Sequence, residues 1–306
     1  MTRTRWSAVL LALVIPFLPA SAEAHPGPAP ARIDLPDGWQ PEGITTDGKR
    51  LYVGSLANGA VWKANPHTGK GRVLVPGRTG RVAVGVEYDA WHNLVWVAGG
   101  ATNTIRAYNA RTGRHRATYR FPSETPRFLN DLVVTRVGVF ATDSQNQELA
   151  VAPFRRDGSL RKPRAARTLP LTGELVYTEG FNLNGIVRSR GRLLAVQSNT
   201  GKLFRINKTT GRTRALDLGG YVLTNGDGLE RRRDKLFVVR NRDNLIAKLD
   251  LNRRLTRATL RRELTSSRFD VPTTVALEQR RLWAVNARFG TPATPDTDYW
   301  ITRVPR

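Results

Sequence analysis

Six times along the chain a short apolar segment opens behind a small or polar residue, at Gly43-Ile44, Gly85-Val86, Asp131-Leu132, Gly185-Ile186, Gly228-Leu229 and Thr274-Val275. Subtracting those numbers gives steps of 42, 46, 54, 43 and 46 residues. Self-similarity at such a spacing confines a chain to a repeat architecture. A second run follows each anchor: LYVGS from Leu51, LVWVAG from Leu94, GVFATDS from Gly138, LLAVQS from Leu193, LFVVRN from Leu236 and LWAVNA from Leu282. Their Val, Leu, Phe and Trp content is that of strands. A third run follows a polar turn: AVWKAN from Ala60, TIRAYN from Thr104, ELAVAPF from Glu148, KLFRIN from Lys202, LIAKLD from Leu245 and YWITRVP from Tyr299. Alternation marks these as half-buried strands. Three of them end in a hairpin of one type, Asn65 to Gly69, Asn109 to Gly113 and Asn207 to Gly211, where Asn and Gly accept tight-turn angles. RVLVP from Arg72 and RATYRF from Arg116 then begin a fourth strand. Repeated units of three or four antiparallel strands predict an all-β fold, a six-bladed β-propeller.

The closure of the ring is also legible. The sixth unit reaches Arg306 after its third run, while Ala31 to Leu35 precedes the first anchor with no partner of its own. Joining this N-terminal strand to the last blade removes an unpaired sheet edge and gives a propeller over residues 31–306. The long step between the third and fourth anchors leaves residues 155–180 as an extra loop, expected to cover one mouth of the channel. Trp62, Trp96, Trp283 and Trp300 fall within strands and are expected in the core. His67, His92 and His115 are scattered over turns or a strand start, which argues against a histidine metal site or a Ser-His-Asp triad.

Ahead of the repeats, Arg3 and Arg5, the apolar run Ala8 to Leu18 and the small-x-small sequence Ala22-Glu23-Ala24 predict a signal peptide over 1–24 and a secreted protein. The alternative is a retained N-terminal anchor, but the run falls short of the ~20 residues a membrane span needs. Residues 25–30 read as a proline-rich tether. The chain has no cysteine, so stability must come from burial, and thiolate zinc, iron–sulfur and Cys-nucleophile chemistry are excluded. A net charge of +24 invites a nucleic-acid reading. The arginines, however, crowd into turns along the whole length, as at Arg155-Arg156, Arg231 to Arg233 and Arg253-Arg254, with no basic helix or aromatic platform. The expectation is a solvated basic surface with nonspecific attraction to anionic cell-wall polymers, and no specific nucleic-acid partner.

The residues one place before the anchors are Glu42, Val84, Asn130, Asn184, Asp227 and Thr273. A propeller gathers equivalent positions around its axis, so these six are expected to ring the channel at one depth. Singly, Asn184-Gly185 and Asp227-Gly228 read as turns. Together, two acids and two amides facing inward are costly to bury unless something cationic or watery lies between them. Oxygen donors without sulfur or imidazole suit a hard divalent cation, calcium above all, and two carboxylates neutralise its charge.

Pro41 to Ile44, Leu129 to Leu132, Leu183 to Ile186 and Asn225 to Leu229 resemble the motifs of the senescence marker protein (regucalcin)/gluconolactonase/luciferin-regenerating-enzyme family of the calcium-dependent phosphotriesterase superfamily. The diisopropyl fluorophosphatase and paraoxonase branches look similar in the same respect. The resemblance spans Pro41 to the C-terminus and rests on the order Glu, Asn, Asn, Asp at successive blades. It implies Glu42, Asn184 and Asp227 as direct metal ligands, with Asn130 as a ligand or as a group that positions substrate. It also implies hydrolysis of a lactone, ester or phosphotriester, with the metal polarising the reacting oxygen and Asp227 or Asp131 as nucleophile or general base. Departures leave the substrate open. Where lactone-hydrolysing relatives tend to carry an arginine, two residues before the Asn-Asp pair, this chain has Phe128, with Arg127 one place further back. The histidine of the other branches has no counterpart after His115. Arg127, Phe128 and Phe181 are the expected substrate contacts, on a rim that Leu129, Leu183 and Phe289 make apolar. The competing expectation is a non-catalytic secreted propeller, a binding or scaffold protein whose metal is structural.

Overall fold

The computed structural model describes Thr2 and residues 29–304. Apart from Thr2, the expected signal peptide and residues 25–28 of the tether lie outside them. Ala29, assigned to the tether, is buried against the first and last blades.

Six sheets, antiparallel apart from one added edge strand, form a ring, a six-bladed β-propeller. Blade 1 runs Pro41–Thr46, Leu51–Ser55, Val61–Ala64 and Gly71–Val75. Blades 2 and 3 open with Val86–Asp89 and Leu129–Thr135, blades 4 and 5 with Leu183–Ser189 and Gly226–Arg232, and blade 6 with Pro272–Glu278. Each of these first strands is innermost. Ring closure follows the expectation: Arg32–Asp34 pairs antiparallel with Trp300–Val304, in the register Arg32 to Thr302 and Ile33 to Ile301. No helix among the described residues is long and apolar enough to cross a membrane.

The core is divided among the blade interfaces, one apolar cluster to each. Trp96, Tyr119, Leu132 and Phe154 meet between blades 2 and 3, and Ile33, Trp62, Trp283 and Tyr299 between blades 6 and 1. Large apolar side chains on alternate positions fill the wedge between twisted sheets, as the sequence indicates. The expected covering loop is a different object. Residues 155–180 are spent mainly at the periphery, where Arg167–Pro170 forms the outer strand of blade 3 and Thr172–Gly173 adds a parallel strand to blade 4. Only its far end returns toward the axis, held by the Tyr177 hydroxyl donating to the Asp143 carbonyl at 2.6 Å.

Candidate metal centre

The small residues at the anchors are there because innermost strands approach one another closely. A Cβ at Gly185 would overlap the carbonyl oxygen of Asp227, and one at Gly85 would lie 2.7 Å from the Asn130 carbonyl. Five of the six innermost strands are also bulged at this level, with register breaks between Pro41 and Ile44, Leu129 and Leu132, Leu183 and Ile186, Gly226 and Leu229, and Pro272 and Thr274. A bulge re-aims side chains that regular pleating would turn elsewhere.

The result is a cavity of about 490 Å³ at one mouth of the channel, called the upper mouth below. Glu42, Val84, Asn130, Asn184 and Asp227 all line it. Thr273 does not. Its hydroxyl donates to the Glu42 carbonyl at 2.7 Å and ties blade 6 to blade 1. The four polar residues are only 2 to 8% exposed, and each holds one buried oxygen that accepts no hydrogen bond: Glu42 Oε2, Asn130 Oδ1, Asn184 Oδ1 and Asp227 Oδ1. The other polar atoms of Asn130, Asn184 and Asp227 are occupied. Asn130 Nδ2 donates to Ser144 Oγ at 2.9 Å, Asn184 Nδ2 to Ser198 Oγ at 3.3 Å, and Asp227 Oδ2 accepts from Asn241 Nδ2 at 2.6 Å. The amide nitrogens are thereby tied back to their own blades, leaving oxygen as the free donor atom.

Electrostatics agree with the geometry. Burial, and after it the charges of Asp227 and Asp131, raises the Glu42 carboxyl well above the ordinary range. Asp227 is pushed up to about 7, chiefly by burial and then by Asp131, against the lowering bond from Asn241. Two carboxylates that resist ionisation beside two unsatisfied amide oxygens form a set that a cation would relieve. Among the described residues, no three His, Cys, Asp or Glu side chains are grouped as a metal site. This set has its charge in two residues and completes its oxygen count with amides.

The other candidates are divided. Phe128 and Phe181 line the cavity and meet edge to face at 5.3 Å, and Phe289 joins them. Leu129 and Leu183 do not contribute to the rim, because both are fully buried between blades. Arg127 is not at the cavity either. It is buried, its Nε lies 3.3 Å from Asp143 Oδ2, and its Nη2 donates to Glu148, so its charge is paired inside blade 3. Asp131 also faces elsewhere, lining a separate cavity further along the channel. Its carboxylate accepts from Leu132 N at 2.8 Å and Ile186 N at 3.1 Å, and burial raises it to about 7.

Sequence reasoning overlooked Ser198 and Asn241, which line the cavity, and Ser144, which lies behind it. A signal for them existed. Each stands 14 residues after the ring residue it holds, at the polar end of a second-strand run. Asn199, Thr224, Asn225 and Arg242 complete the polar lining, from loops that carry no repeat.

No protein-family model and no curated protein matches the sequence. Solved structures do resemble it. The Malassezia sympodialis allergen Mala s 1 aligns at a TM-score of 0.68 and 14% identity, over 90% of this chain and 96% of that one. The fold is a shared one. A streptogramin B lyase aligns at 0.57 and 14% identity, over 89% and 96%. The β-propeller domain of Myceliophteria thermophila Cps50 (Swd1) aligns at 0.61 and 12%, over 89% and 98%. At these identities the likeness extends to the propeller fold, which an allergen and a lyase share, and leaves the chemistry to the site.

Proposed function

We propose that the chain is a secreted hydrolase of a lactone or ester that depends on a hard divalent cation, best matched by calcium, held by Glu42, Asn130, Asn184 and Asp227. The observation that carries this reading is the set of four buried oxygens without hydrogen-bond donors on one cavity wall. Oxygen-only donors with two formal charges fit calcium in kind and in charge. The order Glu, Asn, Asn, Asp around the ring supports the resemblance to the gluconolactonase-like family. Bound there, such a cation supplies Lewis acidity toward a carbonyl or phosphoryl oxygen.

The protein's own residues supply the rest. Ser144, Ser198 and Asn241 hold three of the four donors in place before substrate arrives. Phe128, Phe181, Phe289, Leu56 and Val84 form an apolar wall for the carbon part of the substrate and exclude water from it. Asn199 and Asn225 present polar groups across the cavity to orient the ester. With Asp131 turned toward the other cavity, a proton at the upper mouth passes to Asp227 or to solvent.

The binding-propeller reading is favoured by one specific observation: no acid or histidine lining the cavity stands outside the proposed ligand set. A panel of lactones, aryl esters and phosphotriesters, assayed with calcium and with chelator, separates the two. Hydrolysis that stops on chelation and returns with calcium supports the enzyme. A cation-loaded protein inert on the whole panel supports the binding propeller.

A further inference from the structure

The opposite, lower mouth of the channel carries a different chemistry. First strands begin at the upper mouth and end at the lower one, so the turns joining first to second strands lie there. In blades 3, 4 and 5 these turns and the strand ends flanking them bring together Arg136, Arg188, Arg190, Arg192 and Arg231, and the outer hairpin of blade 4 adds Lys208. All six line one cavity of about 330 Å³ that contains no carboxylate.

The cavity is also continuous with its neighbours. It shares Arg192 with a second acid-free cavity of about 220 Å³ that holds Arg205, Arg212 and Arg214, and it shares Arg188 and Arg231 with the channel. None of these nine cations lies within ion-pair distance of an acid among the described residues. Several are fixed by backbone carbonyls instead. Arg190 Nη1 donates to Asn252 O at 2.7 Å, Lys208 Nζ to Gly191 O at 2.9 Å, and Arg231 Nε to Arg188 O at 2.7 Å. Arg231 is held below its ordinary pKa by burial and then by Arg188 and Arg190.

We infer that this groove across the lower face of blades 3 to 5 binds a phosphate-bearing polyanion. Guanidinium groups converging from several turns match a tetrahedral oxyanion, which offers oxygens in several directions, whereas one fork saturates a planar carboxylate. Two adjoining acid-free cavities suit a polymer with repeated charges better than a single small anion. Nucleic acid fits less well, because the exposed aromatic nearby, Trp91, has its face covered by the Arg188 guanidinium at 4.9 Å and offers no platform for a base.

The test is calorimetric titration of the exported chain with long-chain inorganic polyphosphate at about 0.15 M salt, where nonlocal attraction is screened. The expected result is saturable binding that R190E/R192E weakens about tenfold or more. R111E/R114E, which changes net charge equally on blade 2, should weaken it less than about threefold. The milder R190Q/R192Q should fall between, with all variants keeping the wild-type β spectrum. Equal losses in the two reversed variants, or no binding at this salt, would overturn the site in favour of bulk charge. Tighter binding of a single-stranded oligonucleotide or of heparin, charge for charge, would equally overturn it in favour of a base-reading or sulfate-reading surface.

Discussion

The two mouths of the channel are built from the same strands and differ in almost everything else. At the upper mouth bulges turn two acids and two amides inward, and their free atoms are all oxygens. At the lower mouth the same first strands end in turns rich in arginine, with no acid facing the groove. Between them Asp131, Glu87 and Glu230, half-buried, line the channel. The difference teaches that in a propeller the height along a strand decides chemistry. Buried groups at the bulge are forced to be specific, while exposed turns are free to accumulate one sign of charge.

The contrast breaks most severely if the upper mouth loses its charge. Glu42→Gln or Asp227→Asn keeps the shape but removes half the negative charge, so calcium affinity, read by titration, should fall a hundredfold or more. Asn241→Ala leaves all four proposed ligands but frees Asp227 Oδ2, and should cost about 10- to 100-fold by the same measurement. Gly185→Ala tests the close approach beneath the site. Its methyl must displace the Asp227 backbone, so denaturant unfolding should show a loss of about 1–3 kcal/mol together with weaker calcium binding.

A smaller effect sharpens the middle of the comparison. Glu87 is raised to about 8, by burial first and then by Glu230 and Asp131. Because its folded pKa exceeds the unfolded value near 4.5, the folded state holds the extra proton between those limits, and stability falls as pH rises through that window. Glu87→Gln should flatten the decline and raise stability at pH 8 by on the order of 1 kcal/mol, seen in melts from pH 5 to 8. An unchanged slope would place the titration elsewhere.

Most of the fold was readable because a propeller repeats its physics. The anchors, the strands and the closure by Arg32–Asp34 follow from period and pattern alone. The ring of Glu42, Asn130, Asn184 and Asp227 was readable for the same reason, since equal register means equal height. What failed did not repeat. Asp131 directly follows a ring residue, but the bulge turns it down the channel, and Arg127, three places before Asn130, is drawn into blade 3 by Asp143 and Glu148. The 155–180 segment was misjudged because it contains two short outer strands, Arg167–Pro170 and Thr172–Gly173, that lack strong apolar alternation. The sorting of arginines to the lower mouth was hidden because turns distant in sequence meet only once the ring closes.

The central claim is that the four unsatisfied oxygens form one cation site, and direct calcium titration of the chelator-stripped protein tests it. The account predicts one calcium per chain, with a melting temperature that rises on binding because only the folded state gathers the ligands. A folded protein that takes up no calcium or other divalent cation at millimolar concentration, and melts at the same temperature with chelator, would contradict it.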